Sequence, residues 1–204
     1  MGSARGTVRI ALMSNMPSAG RSPVRRLSTI IALTAAVTLA LAGVAMAARI
    51  DGTSGPDVLL GTPDRDDISG LDGGDVIWGL GGNDRLNGGL DDDIIRGDGT
   101  CPPGATDPSF CSTGGSGKDK IDGDSGNDHL FGEGGNDTIK GGADTDVIDP
   151  GDGTDRVDAG AGDDQIDATG GEKDTVKCGD GSDVVLADSL DKVAEDCEAV
   201  SISA

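Results

Sequence analysis

The chain has 204 residues, of which 37 are acidic, 16 are basic and 36 are glycine, and its formal net charge is -21. Glycine is far above the roughly 7% of ordinary globular proteins, and only three residues are aromatic. One large hydrophobic core is therefore excluded. Nucleic acids and anionic membranes are also excluded as partners, because these polyanions bind basic surfaces. The composition favours cations as ligands.

Residues 1–47 differ in composition from the rest. They hold five arginines and no acidic residue, and an uncharged apolar run from Ile30 to Ala47 ends in Ala45-Met46-Ala47. This pattern is typical of a secretory signal peptide that is cleaved after Ala47. A retained membrane anchor is the alternative, but such a short run, rich in Ala and Thr, is marginal for about 30 Å of hydrocarbon. We expect a secreted, extracellular or surface-associated protein with no membrane span after signal removal.

A nine-residue period fills the chain from Gly52 onward. The first five units read GTSGPDVLL, GTPDRDDIS, GLDGGDVIW, GLGGNDRLN and GGLDDDIIR. After an interruption the phase resumes at Gly114 with GGSGKDKID and seven further units, one of them ten residues long. In every unit an Asp stands two residues before an aliphatic residue. A disordered acidic linker, the alternative for such a composition, would not keep this register.

These two series are named here by their place in the unit. The sixth-position aspartates are Asp57, Asp66, Asp75, Asp84, Asp93, Asp119, Asp128, Asp137, Asp146, Asp155, Asp164, Asp174 and Asp183. The eighth-position aliphatics are Leu59, Ile68, Ile77, Leu86, Ile95, Ile121, Leu130, Ile139, Ile148, Val157, Ile166, Val176 and Val185.

Each Asp-x-aliphatic-x segment predicts a short β-strand whose aliphatic side chain points inward while its two neighbours point outward. The glycines that precede each strand predict turns with positive φ or close backbone approach. One aliphatic residue per unit buries little apolar surface against the entropy cost of ordering the chain. We therefore expect metal binding and folding to be one event.

The units resemble the glycine-rich nonapeptide G-G-x-G-x-D-x-U-x of RTX, or haemolysin-type, calcium-binding repeats, and Gly114–Asp122 matches it completely. The resemblance implies an all-β, right-handed parallel β-roll or β-helix solenoid over residues 48–186, with 18 residues in each coil. It also implies multiple Ca²⁺ ions, each held between stacked turns by sixth-position aspartates 18 residues apart and by turn carbonyls. Such oxygen ligands suit Ca²⁺ better than Mg²⁺. At most eleven such pairs exist.

Some units depart from the pattern. The second residue is often not glycine, and the fourth is Asp64, Asp91 or Asp144 in three units. Because Asp tolerates the left-handed backbone better than most residues, we expect these turns to form with altered affinity for calcium.

Residues 99–115 interrupt the repeat with 17 extra residues. A bridge between Cys101 and Cys111 would close this segment into a loop that carries Phe110, and such loops often hold function. A recognition loop and a tolerated insertion are both compatible with the sequence.

The tail, residues 187–204, leaves the strict period but keeps spaced apolar residues, so we expect it to cap the solenoid. The short spacing of Cys178 and Cys197 predicts a disulfide that pins this cap, as the even cysteine count of an exported protein suggests. Metal-binding cysteines are the alternative, but the sequence has no C-x-x-C pair.

Nothing in the sequence predicts catalysis. The single histidine, His129, occupies an outward position, and the common hydrolase motifs are absent. Trp78 and Phe131 occupy outward ninth positions, where they could shield apolar atoms or contact a partner. We expect a calcium-binding structural or binding module rather than an enzyme. A calcium-dependent adhesin for cell-surface polysaccharide or protein, and an accessory remnant of an RTX-type enzyme or toxin, are the alternatives.

Overall fold

The computed structural model describes residues 47–99, 116–170 and 172–203, and these form β-strands and turns without a helix. Most of the expected signal peptide and the Cys101–Cys111 segment lie outside the described residues. Within the described ranges no helix is long and apolar enough to cross a bilayer.

Eighteen strands follow one another along the described chain. They are β1 (Arg49–Asp51), β2 (Val58–Leu60), β3 (Asp67–Asp72), β4 (Val76–Leu80), β5 (Arg85–Leu90), β6 (Ile94–Asp98), β7 (Lys120–Ser125), β8 (His129–Phe131), β9 (Gly134–Gly135), β10 (Thr138–Ala143), β11 (Val147–Asp149), β12 (Asp152–Gly153), β13 (Arg156–Ala161), β14 (Gln165–Ala168), β15 (Thr175–Asp180), β16 (Val184–Asp188), β17 (Lys192–Val193) and β18 (Ala199–Ser203).

The strands alternate between two eight-stranded parallel sheets. Sheet A has the order β1-β3-β5-β7-β10-β13-β15-β17, and sheet B has the order β2-β4-β6-β8-β11-β14-β16-β18. Strands β9 and β12 pair in a small third sheet within the turns. Because every second strand pairs with the one before it in the same sheet, the chain winds as a parallel β-solenoid of about eight turns. The predicted parallel solenoid is confirmed.

The core is a narrow column of aliphatic side chains between the two sheets. All thirteen eighth-position aliphatics are buried, and the parallel register stacks them on one another, as Ile139 pairs with both Ile121 and Val157. Flanking residues on each strand point outward, which is the alternation expected of a strand with one buried face. The predicted inward and outward positions are therefore confirmed.

The insertion leaves the register of both sheets intact. Most paired residues are 18 positions apart, but Arg85 pairs with Lys120 and Ile94 pairs with His129, each 35 positions on. Both offsets exceed the normal coil by the same 17 residues. The insertion is therefore accommodated within a single turn, between β6 and β7.

The tail continues the solenoid as strands. Strand β17 pairs with β15, and β18 pairs with β16, at offsets of 17 and 15 residues respectively. The predicted disulfide between Cys178 and Cys197 is present, with a Cα–Cα distance of 5.2 Å. Cys197 and Val193 pack against the buried column. The sequence left helix and strand open for this segment, and the structure shows strands.

The outward faces of the two sheets differ in polarity. On sheet B, Val58, Leu60 and Ile94 are exposed, and the partly exposed Trp78 and Phe131 lie in the same face. The outward side chains of sheet A include many charged residues, among them Arg85, Lys120, Lys140, Arg156 and Lys177. The first half of sheet B is thus an apolar surface.

Several turns hold non-glycine residues in the left-handed region. Asp91 and Asp144, at fourth positions, have φ of +71° and +75°, as the sequence predicts for Asp, but Asp64 does not adopt positive φ. At second positions even Leu71 and Leu80 have φ of +85° and +81°. A leucine in this region costs about 1–2 kcal/mol. The turn geometry is therefore imposed by the stacking of the coils rather than chosen by these residues.

We predict that Leu71→Gly stabilises the folded protein by about 0.5–1 kcal/mol, because it removes the left-handed strain at some cost in unfolded-chain entropy. Leu71 is 45% exposed, so little packing is lost. Urea denaturation at saturating calcium measures the change.

The matched control for this prediction is Leu90→Gly. Leu90 is similarly exposed, at 52%, but lacks positive φ, so the same substitution should lower the free energy of unfolding by about 0.5–1 kcal/mol. Equal destabilisation by both variants would show that Leu71 is not strained.

Candidate metal centres

A ladder of hydrogen bonds joins the sixth-position aspartates along each edge of the solenoid. The backbone N–H of each aspartate donates to Oδ1 of the aspartate one coil further on, as from Asp119 to Asp137 and from Asp137 to Asp155, at 2.8 and 2.7 Å. Eleven such bonds link the thirteen residues in two columns. The bonds from Asp84 to Asp119 and from Asp93 to Asp128 carry both columns across the insertion. The structure thus brings together the same eleven pairs that the period predicts.

The second oxygen of most of these carboxylates has no partner. Oδ2 is buried and accepts no hydrogen bond in eleven sixth-position aspartates, which are Asp75, Asp84, Asp93, Asp119, Asp128, Asp137, Asp146, Asp155, Asp164, Asp174 and Asp183. A buried carboxylate oxygen without a partner is costly. A hard cation such as Ca²⁺, which takes six to eight oxygen ligands, would satisfy these atoms. The donor set therefore fits calcium.

The first residue of a unit lies against its own aspartate. A Cβ built on Gly70 would lie 2.1 Å from Oδ2 of Asp75 and 2.4 Å from the carbonyl oxygen of Gly88. Such distances are below any van der Waals contact, so only glycine lets the carboxylate and the next turn approach this closely. The same arrangement recurs at Gly79 beside Asp84. The glycines thus make room for converging oxygen atoms.

The charges of the stacked aspartates oppose one another in the interior. Burial, reinforced by the neighbouring aspartates of the ladder, raises the pKa of Asp137, Asp146 and Asp155 to about 7. The backbone hydrogen bond to each Oδ1 lowers the pKa but does not offset the burial. Burial raises the pKa of Asp128 and Asp174 to about 6. Without a counter-ion, this interior favours protonated aspartates.

The first two units close their turns differently. Oδ2 of Asp57 accepts the N–H of Thr53 at 2.6 Å, and Oδ2 of Asp66 accepts the N–H of Thr62 at 2.5 Å. These two carboxylates are satisfied by the chain itself, in contrast to the eleven with a free Oδ2. Asp64, at a fourth position, also has an unpartnered buried Oδ2, although its side chain as a whole is partly exposed. The candidate ligands are therefore not equivalent along the chain.

Two carboxylates of the tail continue the ladder, which the sequence reasoning missed. The N–H of Asp174 donates to Oδ1 of Asp191 at 2.8 Å, and the N–H of Asp183 donates to Oε2 of Glu198 at 3.0 Å. A strict nine-residue period cannot find them, because the last coil is shorter. The Asp-x-aliphatic pattern itself persists as Asp191-Lys192-Val193 and, with Glu, as Glu198-Ala199-Val200.

Fifth-position side chains form a second ladder. The side-chain oxygens of Asn83, Asn127 and Asn136 accept the N–H of the fifth residue in the following coil, at 2.8–3.1 Å. The sequence signal is the recurring Asn-Asp pair, whose first member was not assigned a role. These bonds hold the turns in register beside the carboxylates.

The site draws on main-chain oxygens and few side chains. Within the described ranges, no three His, Cys, Asp or Glu side chains converge as a metal-binding group. His129 is exposed on the outward face of β8, which matches its expected solvated position. A site that takes one or two carboxylates and completes its shell with turn carbonyls is the kind that Ca²⁺ accepts.

We predict that the metal-free protein gains β-structure as the pH falls from 8 to 5. Folded-state pKa values of about 6–7, as for Asp137, exceed the value of about 3.9 of an unfolded Asp. The folded state therefore binds more protons than the unfolded state below pH 7, and stability is lost as the pH rises through the folded pKa. Far-UV circular dichroism in excess chelator measures this.

Saturating calcium should reverse the dependence, because protons compete with the ion for the same oxygens. The urea midpoint in calcium should fall on acidification over the range in which the metal-free protein gains structure. A metal-free signal that decreases or stays constant toward pH 5 would contradict the role assigned to the buried carboxylates.

Comparison with known proteins agrees with this geometry. A family model described as RTX calcium-binding nonapeptide repeat (4 copies) matches residues 43–77, 51–86, 69–99, 113–148 and 149–185, which together cover more than half of the chain. A search of curated proteins found no match. The family is a repeat module that binds calcium. The chain belongs to the RTX calcium-binding nonapeptide repeat family.

Proposed function

We propose that this chain is a secreted, non-enzymatic protein whose solenoid folds as it binds several calcium ions along its two edges. The observation that carries the proposal is the set of eleven buried Oδ2 atoms without a hydrogen-bond partner. Each belongs to a carboxylate whose other oxygen is fixed by the ladder, so the fold presents these atoms in fixed places. The ligands would be the sixth-position aspartates together with turn carbonyls.

Charge explains why binding and folding would be coupled. Stacked carboxylates in a water-poor interior repel one another, and taking each out of water costs several kcal/mol. The aliphatic column supplies only one buried side chain per unit against this cost. Divalent cations would neutralise the carboxylates and supply binding free energy to the folded state alone. The calcium-free chain would then be largely unfolded at neutral pH.

We expect a cooperative gain of β-sheet signal when calcium is added to metal-stripped protein at pH 7.5, with several ions bound per chain by isothermal calorimetry. Magnesium should give no comparable change, because it keeps its waters and requires strict octahedral geometry. A native spectrum in excess chelator at this pH would overturn the coupling.

One ladder residue tests the assignment of ligands. Asp137→Asn keeps a side-chain oxygen for the ladder but removes the charge, so we expect fewer calcium ions bound and a higher calcium midpoint for folding. Asp158→Asn is the matched control, because Asp158 is exposed on the outward face of β13. Equal calcium binding by the two variants would count against the sixth-position ligands.

A calcium-dependent adhesin is the second candidate, favoured by the apolar outward face of sheet B. A large exposed apolar patch often marks an interaction surface. Binding to a cell surface would then require calcium only because calcium forms the sheet. Polysaccharide or protein at the cell surface is the proposed partner class.

We expect Ile94→Ser to weaken calcium-dependent retention on cells by at least several-fold. Arg85→Ser is the control, because Arg85 occupies the seventh position of the neighbouring unit on sheet A. Retention on whole cells, measured with and without chelator, separates the two. Unchanged retention of the Ile94 variant, or retention that persists in chelator, would exclude this face as the adhesive surface.

A further inference from the structure

Asp98 is unlike every other acidic residue outside the repeat series. Among the described residues, all other buried polar or charged side chains belong to sixth-position aspartates. Asp98 is at a second position, at the end of β6, and has 0% exposure. Acidic residues at the second position of other units, Asp124 and Glu133, are exposed. Its burial needs an explanation that the repeat does not give.

The backbone turns this side chain inward. In the register of sheet B, Asp98 pairs with Leu80, and the equivalent residue of the next coil is Glu133. Leu80 and Glu133 have φ of +81° and +71°, whereas Asp98 is not in the left-handed region and Gly99 has φ of +122°. The left-handed residue has thus moved one position along the chain. The Asp98 side chain consequently lies inside the turn that carries the insertion.

The contacts of Asp98 leave one oxygen unused. Oδ2 accepts the N–H of Gly117 at 2.7 Å, whereas Oδ1 is buried without a hydrogen-bond partner. The preceding residue, Gly97, lies against Asp119, since a Cβ on Gly97 would be 2.3 Å from the unpartnered Oδ2 of Asp119. Gly97 therefore takes the first position of this unit, which the sequence analysis gave to Gly114. Unpartnered oxygens from Asp98 and Asp119 thus flank one glycine.

No protein cation compensates Asp98 within the described part of the chain. The nearest candidate, Arg96, pairs with Glu133 at 2.5 Å and lies 4.1 Å over the ring of Phe131. Burial raises the pKa of Asp98 to about 6, so this group is largely ionised at neutral pH. Its charge raises the pKa of Asp119 more than the charge of Asp84, the ladder neighbour, does. The two carboxylates therefore share one uncompensated environment.

We propose that Asp98 is a calcium ligand outside the repeat motif, which joins Asp119 in one site at the turn that carries the insertion. The inference rests on the proposed calcium binding and adds a ligand that no position of the nonapeptide provides. Two adjacent carboxylates match the charge of a divalent cation, and turn carbonyls would complete its shell. A cavity of about 730 Å³, lined in part by Asp98, Gly117 and Glu133, opens beside them and gives an ion access.

Calcium at this place would fasten the two ends of the insertion. Asp98 precedes the inserted residues and Asp119 follows them, so one ion would hold both sides of the interruption. The hydrogen bond from Gly117 to Asp98 already crosses the same gap. A carboxylate that only closed the turn would need this hydrogen bond and not the charge.

The full-length chain with Asp98→Asn separates these two roles, because asparagine retains an oxygen for the N–H of Gly117 but loses the charge. Native mass spectrometry counts bound calcium ions at the free calcium concentration that just saturates the unchanged protein. We expect the variant to carry one ion fewer there and to need at least tenfold more calcium for the last ion. Asp124→Asn, an exposed second-position residue on the other edge, should match the unchanged protein.

Circular dichroism at saturating calcium checks that the Asp98 variant folds. A folded Asp98→Asn protein with the same ion count as the unchanged protein over the whole titration would overturn the inference and leave the repeat sites intact. Failure of the unchanged protein to bind any calcium would instead overturn the proposed function itself. A variant that fails to fold at any calcium concentration is replaced by Asp98→Glu, which keeps the charge and should restore the missing ion.

Discussion

The solenoid depends on one repeated interaction, the hydrogen bond from the backbone N–H of a sixth-position aspartate to Oδ1 of the aspartate in the next coil. Because the acceptor belongs to the equivalent residue of the next coil, the bond fixes which residues stack, and the eighth-position aliphatics two residues later are placed in the core with them. The same bond orients the carboxylate so that Oδ2 is buried and left over. Register, core and uncompensated charge thus arise from a single contact.

The sequence predicted this arrangement as far as the period reaches. Position within the nonapeptide determines which side chains point inward, so the aliphatic column and the pairing of aspartates could be read without coordinates. Asp191 and Glu198 escaped because a shorter last coil keeps the local pattern but not the spacing. Asp98 escaped for another reason, since its burial depends on one backbone torsion that shifts at the insertion. Leu71 shows the converse, because stacking of coils overrides the preference of the residue.

The solenoid is not uniform along its axis. In the earlier units the first residue is glycine, but later units begin with Pro150, Ala159, Ala168 and Cys178. Of these, Ala159, Ala168 and Cys178 join the aliphatic column, and the disulfide of Cys178 to Cys197 ties the last coil to the tail. The C-terminal coils therefore bury more apolar surface and carry a covalent constraint. Their stability relies less on the charge balance of the turns than that of the first coils.

The way the insertion enters the solenoid has a consequence for how such chains can change. Both sheets skip the same number of residues, because the extra segment leaves and re-enters within one turn while the strands on either side stay paired. The coil therefore reads only the two ends of the excursion, and its length and composition are free to vary. Each turn is in this sense a port at which a new segment can be grafted, and a ladder carboxylate one coil away needs no compensating mutation.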